Sequence, residues 1–484
     1  MSRSLIVKLS EATPSQRQQL VSIYYDTRTL RLRAHGVALH LRKQASAWLQ
    51  TLQRCDADAE TASWSTGYFN HFDFSTVDDL ALREWLNRPK ILAQITPVFE
   101  STIRRTNWRL NPAPGVVVLV TLDRVTLISS GRRSLVADVE LRLIEGSSSD
   151  LYAVAIALAE RVPLAPQTYS TTEHGYRLFL DLPMTPIARD NFCISAEPMP
   201  LVAFRQIALS CLKHMLLNRA GAATTDNPEY IHQMRVATRR LRASAQLFKP
   251  LLPSSFAEQI VVPLRDLMSV LGRVRDLDIV MTDIVNPVVA EMPGEPGILA
   301  LATAITERQF LARAEAMRLL SQPAYGHLQL QATSQLGGPA FLASSDHSAQ
   351  PNLSEFAQKR LQSLCERTLR HAADARVDQP NSLHRMRISI KRLRYAMEFF
   401  RPMMAPKASG KMLQQLITTQ EKLGELNDLA SAGAVLMACA ANDANLCQAV
   451  SKIAAWHAQR HADLLAEIAV HIKHTARLKL PHFV

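Results

Sequence analysis

IHQMRVATRRLRASAQLFKPLL (231–252) and LHRMRISIKRLRYAMEFFRPMM (383–404) align without a gap, and that likeness decides how most of the chain is read. His232 pairs with His384, and Phe248-Lys249-Pro250 with Phe400-Arg401-Pro402, each 152 residues apart. The same offset brings LGRVRDLD (271–278) onto LGELNDLA (423–430), so that Asp276 meets Asp428. Upstream, Phe204, Leu209 and Leu212 fall on Phe356, Leu361 and Leu364. One register held over four helix-like blocks predicts two related helical units, about 200–325 and 353–484. Pro, Gly, Ser and Gln over 321–354 predict a long loop between them, centred on 326–352.

Each copy carries a basic stripe. At about 100° per residue, His232, Arg235, Arg239 and Arg242 fall within a sector of about 80°. His384, Arg387, Lys391 and Arg394 do the same in the second copy. Met234, Thr238, Leu241 and Ala245 lie opposite the first stripe, and Met386, Ile390, Leu393 and Met397 opposite the second, where a bundle core is expected. No acid occurs from Ile231 to Pro250 or from Leu383 to Met397. Uncompensated like charges three and four residues apart destabilise a helix, and an anionic partner relieves that repulsion. Arginine grips phosphate oxygens with a planar fork, lysine acts as a point charge, and histidine becomes cationic near its ordinary pKa. A stripe of this length spans about 15 Å, which suits a chain of phosphates better than one. Asp276, Asp278 and Asp428 offer a metal-site alternative, but Arg273, Arg275 and Lys422 nearby favour ion pairs or caps.

The chain of 484 residues is too long for one hydrophobic core. Its 47% hydrophobic and 20% charged residues describe a globular protein. Residues 1–200 hold 22 Lys+Arg against 20 Asp+Glu, and residues 201–484 hold 33 against 23, so most of the net +12 lies in the helical part. The six cysteines, Cys55, Cys193, Cys211, Cys365, Cys439 and Cys447, form no CxxC pair, which argues against a metal cluster and for a reducing compartment. No signal-peptide core and no membrane-spanning apolar run are apparent, so a cytoplasmic protein is expected.

The first 180 residues read as β-rich. GVVVLVTLDRVTLIS (115–129) and RSLVADVELRLIEG (133–146) predict strands, as do GVALHLRK and AWLQTLQ before them. Segments 12–20, 78–89 and 150–161 look helical. DLPMTPIARDNFCISAEPMP, with four prolines, predicts a linker over 181–199. The fold class expected is α+β: an antiparallel barrel or curved sheet, then an all-α domain.

HxMRVxxRRLR, LGRVRDLD, LHRMRIxxKRLRYAxE and LGELND closely resemble the CHAD family, the conserved-histidine α-helical domain, over about 200–484. The resemblance implies two pseudo-symmetric four-helix bundles and a basic channel between them that binds inorganic polyphosphate. Carried over, the channel is lined by His232, Arg235, Arg239, Arg242, His384, Arg387, Lys391 and Arg394. Arg240 and Arg392 are rim candidates, with Lys213 and Arg360 on the preceding helices. The family is a binding module and not an enzyme.

SLIVKLS, YYDT (24–27), LRAHGVALHLRK (32–43), WLQTL (48–52), RRTNW (104–108), DVELRLIEG (138–146) and STTEHGYRL (170–178) resemble the CYTH, or triphosphate tunnel, family. That resemblance implies a barrel whose carboxylates hold Mg²⁺ or Mn²⁺ and whose cations grip a triphosphate. The opening Glu-x-Glu-x-Lys appears here as Ser4-Leu5-Ile6-Val7-Lys8, without either carboxylate. His40 stands for an arginine, Gln53 for a lysine, Arg142 for a glutamate and Thr171 for a lysine. Lys8, Arg42 and Arg105 remain as phosphate ligands, and Asp138 and Glu140 as metal ligands.

The expectation is a polyphosphate-binding protein with no chemistry of its own, recruited to polyphosphate chains or granules and requiring no cofactor. One alternative is a Mg²⁺- or Mn²⁺-dependent triphosphatase supplied by the helical domain. Another is a nucleic-acid binder, disfavoured because few aromatics besides Tyr395 interleave the stripes.

Overall fold

The computed structural model describes residues 16–55, 62–189, 194, 199–338, 341, 352–441 and 443–483. The chain divides into two compact units: 1–158 with 167–184, and 159–166 with 185–484.

The first unit is built on β1 (Gln16–Asp26), β2 (Val37–Gln44), β3 (Ala47–Arg54), β4 (Ser63–Gly67), β5 (Thr96–Ala113), β6 (Val116–Ser129) and β7 (Arg132–Glu145). All pairings are antiparallel, in the order β4-β3-β2-β1-β5-β6-β7. The barrel anticipated from sequence is thus a seven-stranded sheet with β4 and β7 at its ends, and no pairing closes it among the described residues. Residues 16–20, anticipated as helical, belong to β1, while 12–15 lie outside the described residues. Pairing with Arg104–Asn107 of β5 overrides the helix propensity of the polar QRQQ run. Besides the single turns Arg31–Ala34 and Pro89–Leu92, the sheet is accompanied by α1 (Leu80–Leu86), α2 (Ser148–Ala159) and α3 (Thr171–Phe179). The N-cap of α3 is Ser170, whose side chain accepts from the Glu173 N–H at 3.2 Å. Gly175 on α3 lets the helix press onto β5, because a Cβ there would collide with the Phe99 ring.

The second unit is helical: α4 (Pro200–Thr224), α5 (Pro228–Leu247), α6 (Val262–Ile279), α7 (Pro296–Ser321), α8 (Pro323–Gly337), α9 (Leu353–Asp374), α10 (Pro380–Phe400), α11 (Pro406–Ala440), α12 (Ala444–Trp456) and α13 (Ala458–Thr475). Helices α4, α5, α6 and α7 pack in a closed ring, as do α9, α10, α11 and α13, giving two four-helix bundles. The 152-residue offset maps α4 onto α9 and α5 onto α10, with Pro228 and Pro380 each at a helix start. It also maps the single helix α7 onto the pair α12 and α13, which break at His457. The predicted core face is buried in both copies: Met234, Thr238, Leu241 and Ala245, and Met386, Ile390, Leu393 and Met397.

The anticipated loop 326–352 is corrected in its first part, since 326–337 belongs to α8. Gly326 lies inside that helix as a packing glycine, since a Cβ there would collide with the carbonyl oxygen of Leu164.

The two copies share one core. Phe204 and Phe248 and their counterparts Phe356 and Phe400 are all buried. Ring centroids lie 5.5 Å apart for Phe204–Phe248, 5.0 Å for Phe248–Phe356 and 5.9 Å for Phe248–Phe400. Each such contact adds about 0.5–1.5 kcal/mol to the burial of the rings. Phe248→Ala is expected to destabilise the helical domain by about 3–5 kcal/mol in urea unfolding, and Phe248→Leu by clearly less.

Candidate anion-binding site

Helix α5 meets α10 across the two copies, so the basic stripes come from facing elements. Between them lies a cleft of about 610 Å³. Arg239 and Arg242 enter it from α5, Arg265 from α6, Arg360 and Arg367 from α9, and Lys391 and Arg392 from α10. Among the described residues no carboxylate lines it. The Nε–H groups of Arg239, Arg242 and Arg360, and of nearby Arg387, are buried without a hydrogen-bond acceptor. A buried unsatisfied donor on a charged group is costly, and an oxyanion would satisfy it. Burial, assisted by Arg265, pushes Arg242 below its ordinary pKa, and burial assisted by Arg367 does so for Arg360. Burial, with Arg387 and Arg239 beside it, pushes Lys391 down to about 7.

Deeper along the stripes, Arg235 and Arg387 face the repeat-equivalent Asp276 and Asp428. Burial lowers both arginines, while Asp276 acts favourably on Arg235 and Asp428 on Arg387. Burial raises the Asp276 carboxyl, opposed by Arg235 and reinforced by Asp428. Arg235 also lies against Gly272, where a Cβ would come within 2.9 Å of its Nη1. His232 is half-buried at the start of its stripe and is lowered by burial and then by Arg275. His384 is exposed and does not line the cleft. Asp278, a metal candidate in sequence, is instead bonded to Arg313 at 3.0 Å and to Gln309 at 3.0 Å.

Three expected site residues point elsewhere. Arg240, anticipated at the rim, is buried and bonded to Glu398 at 2.9 Å, with its guanidinium over the Phe399 ring. Arg394, anticipated in the channel, is ion-paired with the same Glu398 and donates to Gln420 at 2.9 Å. Lys213 faces a separate small crevice with Arg189 and Arg240. Conversely, Arg265 and Arg367 were not anticipated. Ile417 and Met215 hold their places in the other repeat, so a search for shared positions passes over them.

In the sheet domain, Lys8, Ser4 and Ile6 lie outside the described residues. Arg105 donates to both carboxylate oxygens of Asp123, at 2.8 and 2.6 Å, and is committed to that pair. Asp138 stands opposite Asp123 in the ladder and accepts from the Thr171 hydroxyl at 3.2 Å, while Glu140 is exposed. Arg42 reaches the Ser22 hydroxyl at 3.5 Å. On the sheet face where Arg42 lies, Tyr24 stacks on Phe99 at 4.3 Å and Tyr176 meets Phe99 edge-on at 5.4 Å. His40 is buried beside Tyr24, with neither ring nitrogen bonded, and burial pushes it down to about 4. Among the described residues no three carboxylate, histidine or cysteine side chains converge to hold a metal. A hard divalent cation needs several oxygen ligands, so the described donors do not fit Mg²⁺ or Mn²⁺.

Fold and site together define a two-domain α+β protein in which an antiparallel sheet precedes paired helical bundles with a cationic cleft. A CYTH domain model matches residues 3–176 and a CHAD domain model matches 206–437, so the chain contains a CYTH domain followed by a CHAD domain. The crystal structure of the CHAD domain from the plant Ricinus communis is 28% identical with a TM-score of 0.53, over 62% of this chain and 99% of its own. PptA from Streptomyces chartreusis is 18% identical with a TM-score of 0.37, over 58% of this chain and 98% of its own. No curated protein matches the chain. No helix among the described residues is long and apolar enough to cross a membrane.

An oxyanion drawn into the cleft stabilises the charged form of Lys391 and raises its pKa from about 7. Anion binding at pH 8 is therefore expected to take up protons, and affinity to fall as pH rises above 7. Calorimetry in two buffers of different ionisation enthalpy measures the uptake, which Lys391→Met should abolish.

Proposed function

We propose that the protein binds inorganic polyphosphate in the cleft between its helical bundles and is recruited by it to polyphosphate chains or granules. The observation that carries this reading is a carboxylate-free cleft with seven cationic side chains, of which Arg239, Arg242 and Arg360 hold buried, unpartnered Nε–H donors. A polymer with one negative charge per repeat satisfies many of these donors at once, and release of its counterions supplies affinity. Among the described residues Tyr395 is the single aromatic lining the cleft, which leaves nucleic-acid bases little to stack on. The CHAD family's association with polyphosphate supports the same ligand.

In this reading the sheet domain performs no hydrolysis. The pairing of Arg105 with Asp123 and the aromatic packing around Tyr24 and Phe99 support a scaffold or interaction role. The protein then works without a bound metal.

Titration with long-chain polyphosphate at about 150 mM salt, where exposed contacts are screened, tests the proposal. Arg239→Glu and Lys391→Glu together are expected to weaken binding at least 100-fold, with duplex DNA binding far more weakly than polyphosphate. Unchanged affinity in the reversed variant would refute the cleft as the site. Phosphate release from triphosphate with Mg²⁺ or Mn²⁺ is expected to match a protein-free control. Release abolished by Asp138→Asn would instead establish the triphosphatase alternative.

A further inference from the structure

The cleft has a counterpart generated by the repeat, and the two differ in charge. Under the 152-residue offset Arg242 becomes Arg394, Arg392 becomes Arg240, and Gln246 becomes Glu398. Gln246 lines the open cleft, and its backbone carbonyl accepts from Arg360 at 3.4 Å. Glu398 is 10% exposed and receives three guanidinium groups: Arg240 at 2.9 Å, Arg189 at 2.5 Å, and Arg394. Three cations on one carboxylate leave a local excess of positive charge around a site of anion geometry.

A strap of chain lies beside this cluster. The Ile187 N–H donates to Asn218 at 3.0 Å, and the Ile187 carbonyl accepts from Asn218 at 2.9 Å and lies 3.0 Å from His214 Nε2. These bonds hold the segment before Arg189 on α4 and bring Arg189 to Glu398. The crevice left beside Arg189, Lys213 and Arg240 holds about 10 Å³, no more than a water.

We infer that Glu398 is an internal anion occupying a second phosphoryl-oxyanion site, formed by Arg189, Arg240 and Arg394, and that it confines polyphosphate to the one open mouth. The carboxylate supplies in place what a phosphate oxygen supplies in the cleft. Glu398 is thereby the residue that makes a duplicated scaffold one-sided. The confinement rests on the proposed polyphosphate reading, whereas the presence of the second site does not.

The test is Glu398→Gln, which installs the side chain of the first repeat, made in the wild type and in the Arg239→Glu/Lys391→Glu background. Each is titrated with pyrophosphate and with long-chain polyphosphate over a range of salt. In the reversed background, Glu398→Gln is expected to restore anion affinity at least tenfold. In the wild type it should steepen the salt dependence by two to three phosphates' worth, each contributing a slope of about 0.7–0.9. A folded Glu398→Gln chain with unchanged affinity and salt slope in both backgrounds overturns the inference. If the variant is unstable, pyrophosphate should raise its melting temperature in the reversed background more than it raises that of the reversed parent, and no such rise also overturns it. A wild type that binds no polyphosphate beside a Glu398→Gln chain that binds pyrophosphate would sink the proposed function and leave the second site standing.

Discussion

The contact between Phe248 and Phe400 is the constraint on which the helical domain depends. These rings are repeat equivalents, buried at the seam between copies, and Phe204 and Phe356 complete the cluster around them. Each Phe sits at the end of the helix whose other face carries a basic stripe. Fixing the rings together therefore fixes the stripes at the same seam. Apolar packing, which is non-directional and scales with area, determines where the charges must go.

That placement works against the electrostatics. At an effective dielectric of about 20, two like charges 8 Å apart repel by about 2 kcal/mol, and seven cations share the cleft. Asp428 offsets part of this at Lys391, whose pKa burial and the neighbouring Arg387 and Arg239 nevertheless hold down to about 7. The remaining repulsion is carried by the hydrophobic core, the usual trade of stability for function at a site. On the other side of the seam, Glu398 offsets part of the conflict by pairing with Arg189, Arg240 and Arg394.

Local periodicity made much of this legible in sequence. The alternation of stripe and core along α5 and α10 is a property of one helix, and every predicted core residue is buried. The β-branched run of β6 and the apolar–polar alternation of β7 were equally plain, because both are local patterns that need no distant partner to be read. Features created by tertiary contact were not legible. β1 is a strand because two neighbours pair with it, and α8 holds Gly326 because another segment crosses there. Arg265 and Arg367 come from outside the repeated motif and reach the cleft only through packing. Glu398 stands one residue beyond the acid-free stretch that ends at Met397, so its grip on Arg240 and Arg394 was hidden by a single position.

The crossing at Gly326 bears on how the two domains can be taken apart. Residues 159–166 lie within the span matched by the CYTH model yet pack with the helical unit, with the Leu164 carbonyl against α8. A chain cut in the proline-rich linker would leave that piece attached to the sheet domain and strip α8 of its cover. The helical domain is thus assembled from two separate stretches of polypeptide, and a cut before residue 159 that keeps both also carries 167–184 away from the sheet domain. A helical domain transplanted without 159–166 would lack the segment that packs against α8.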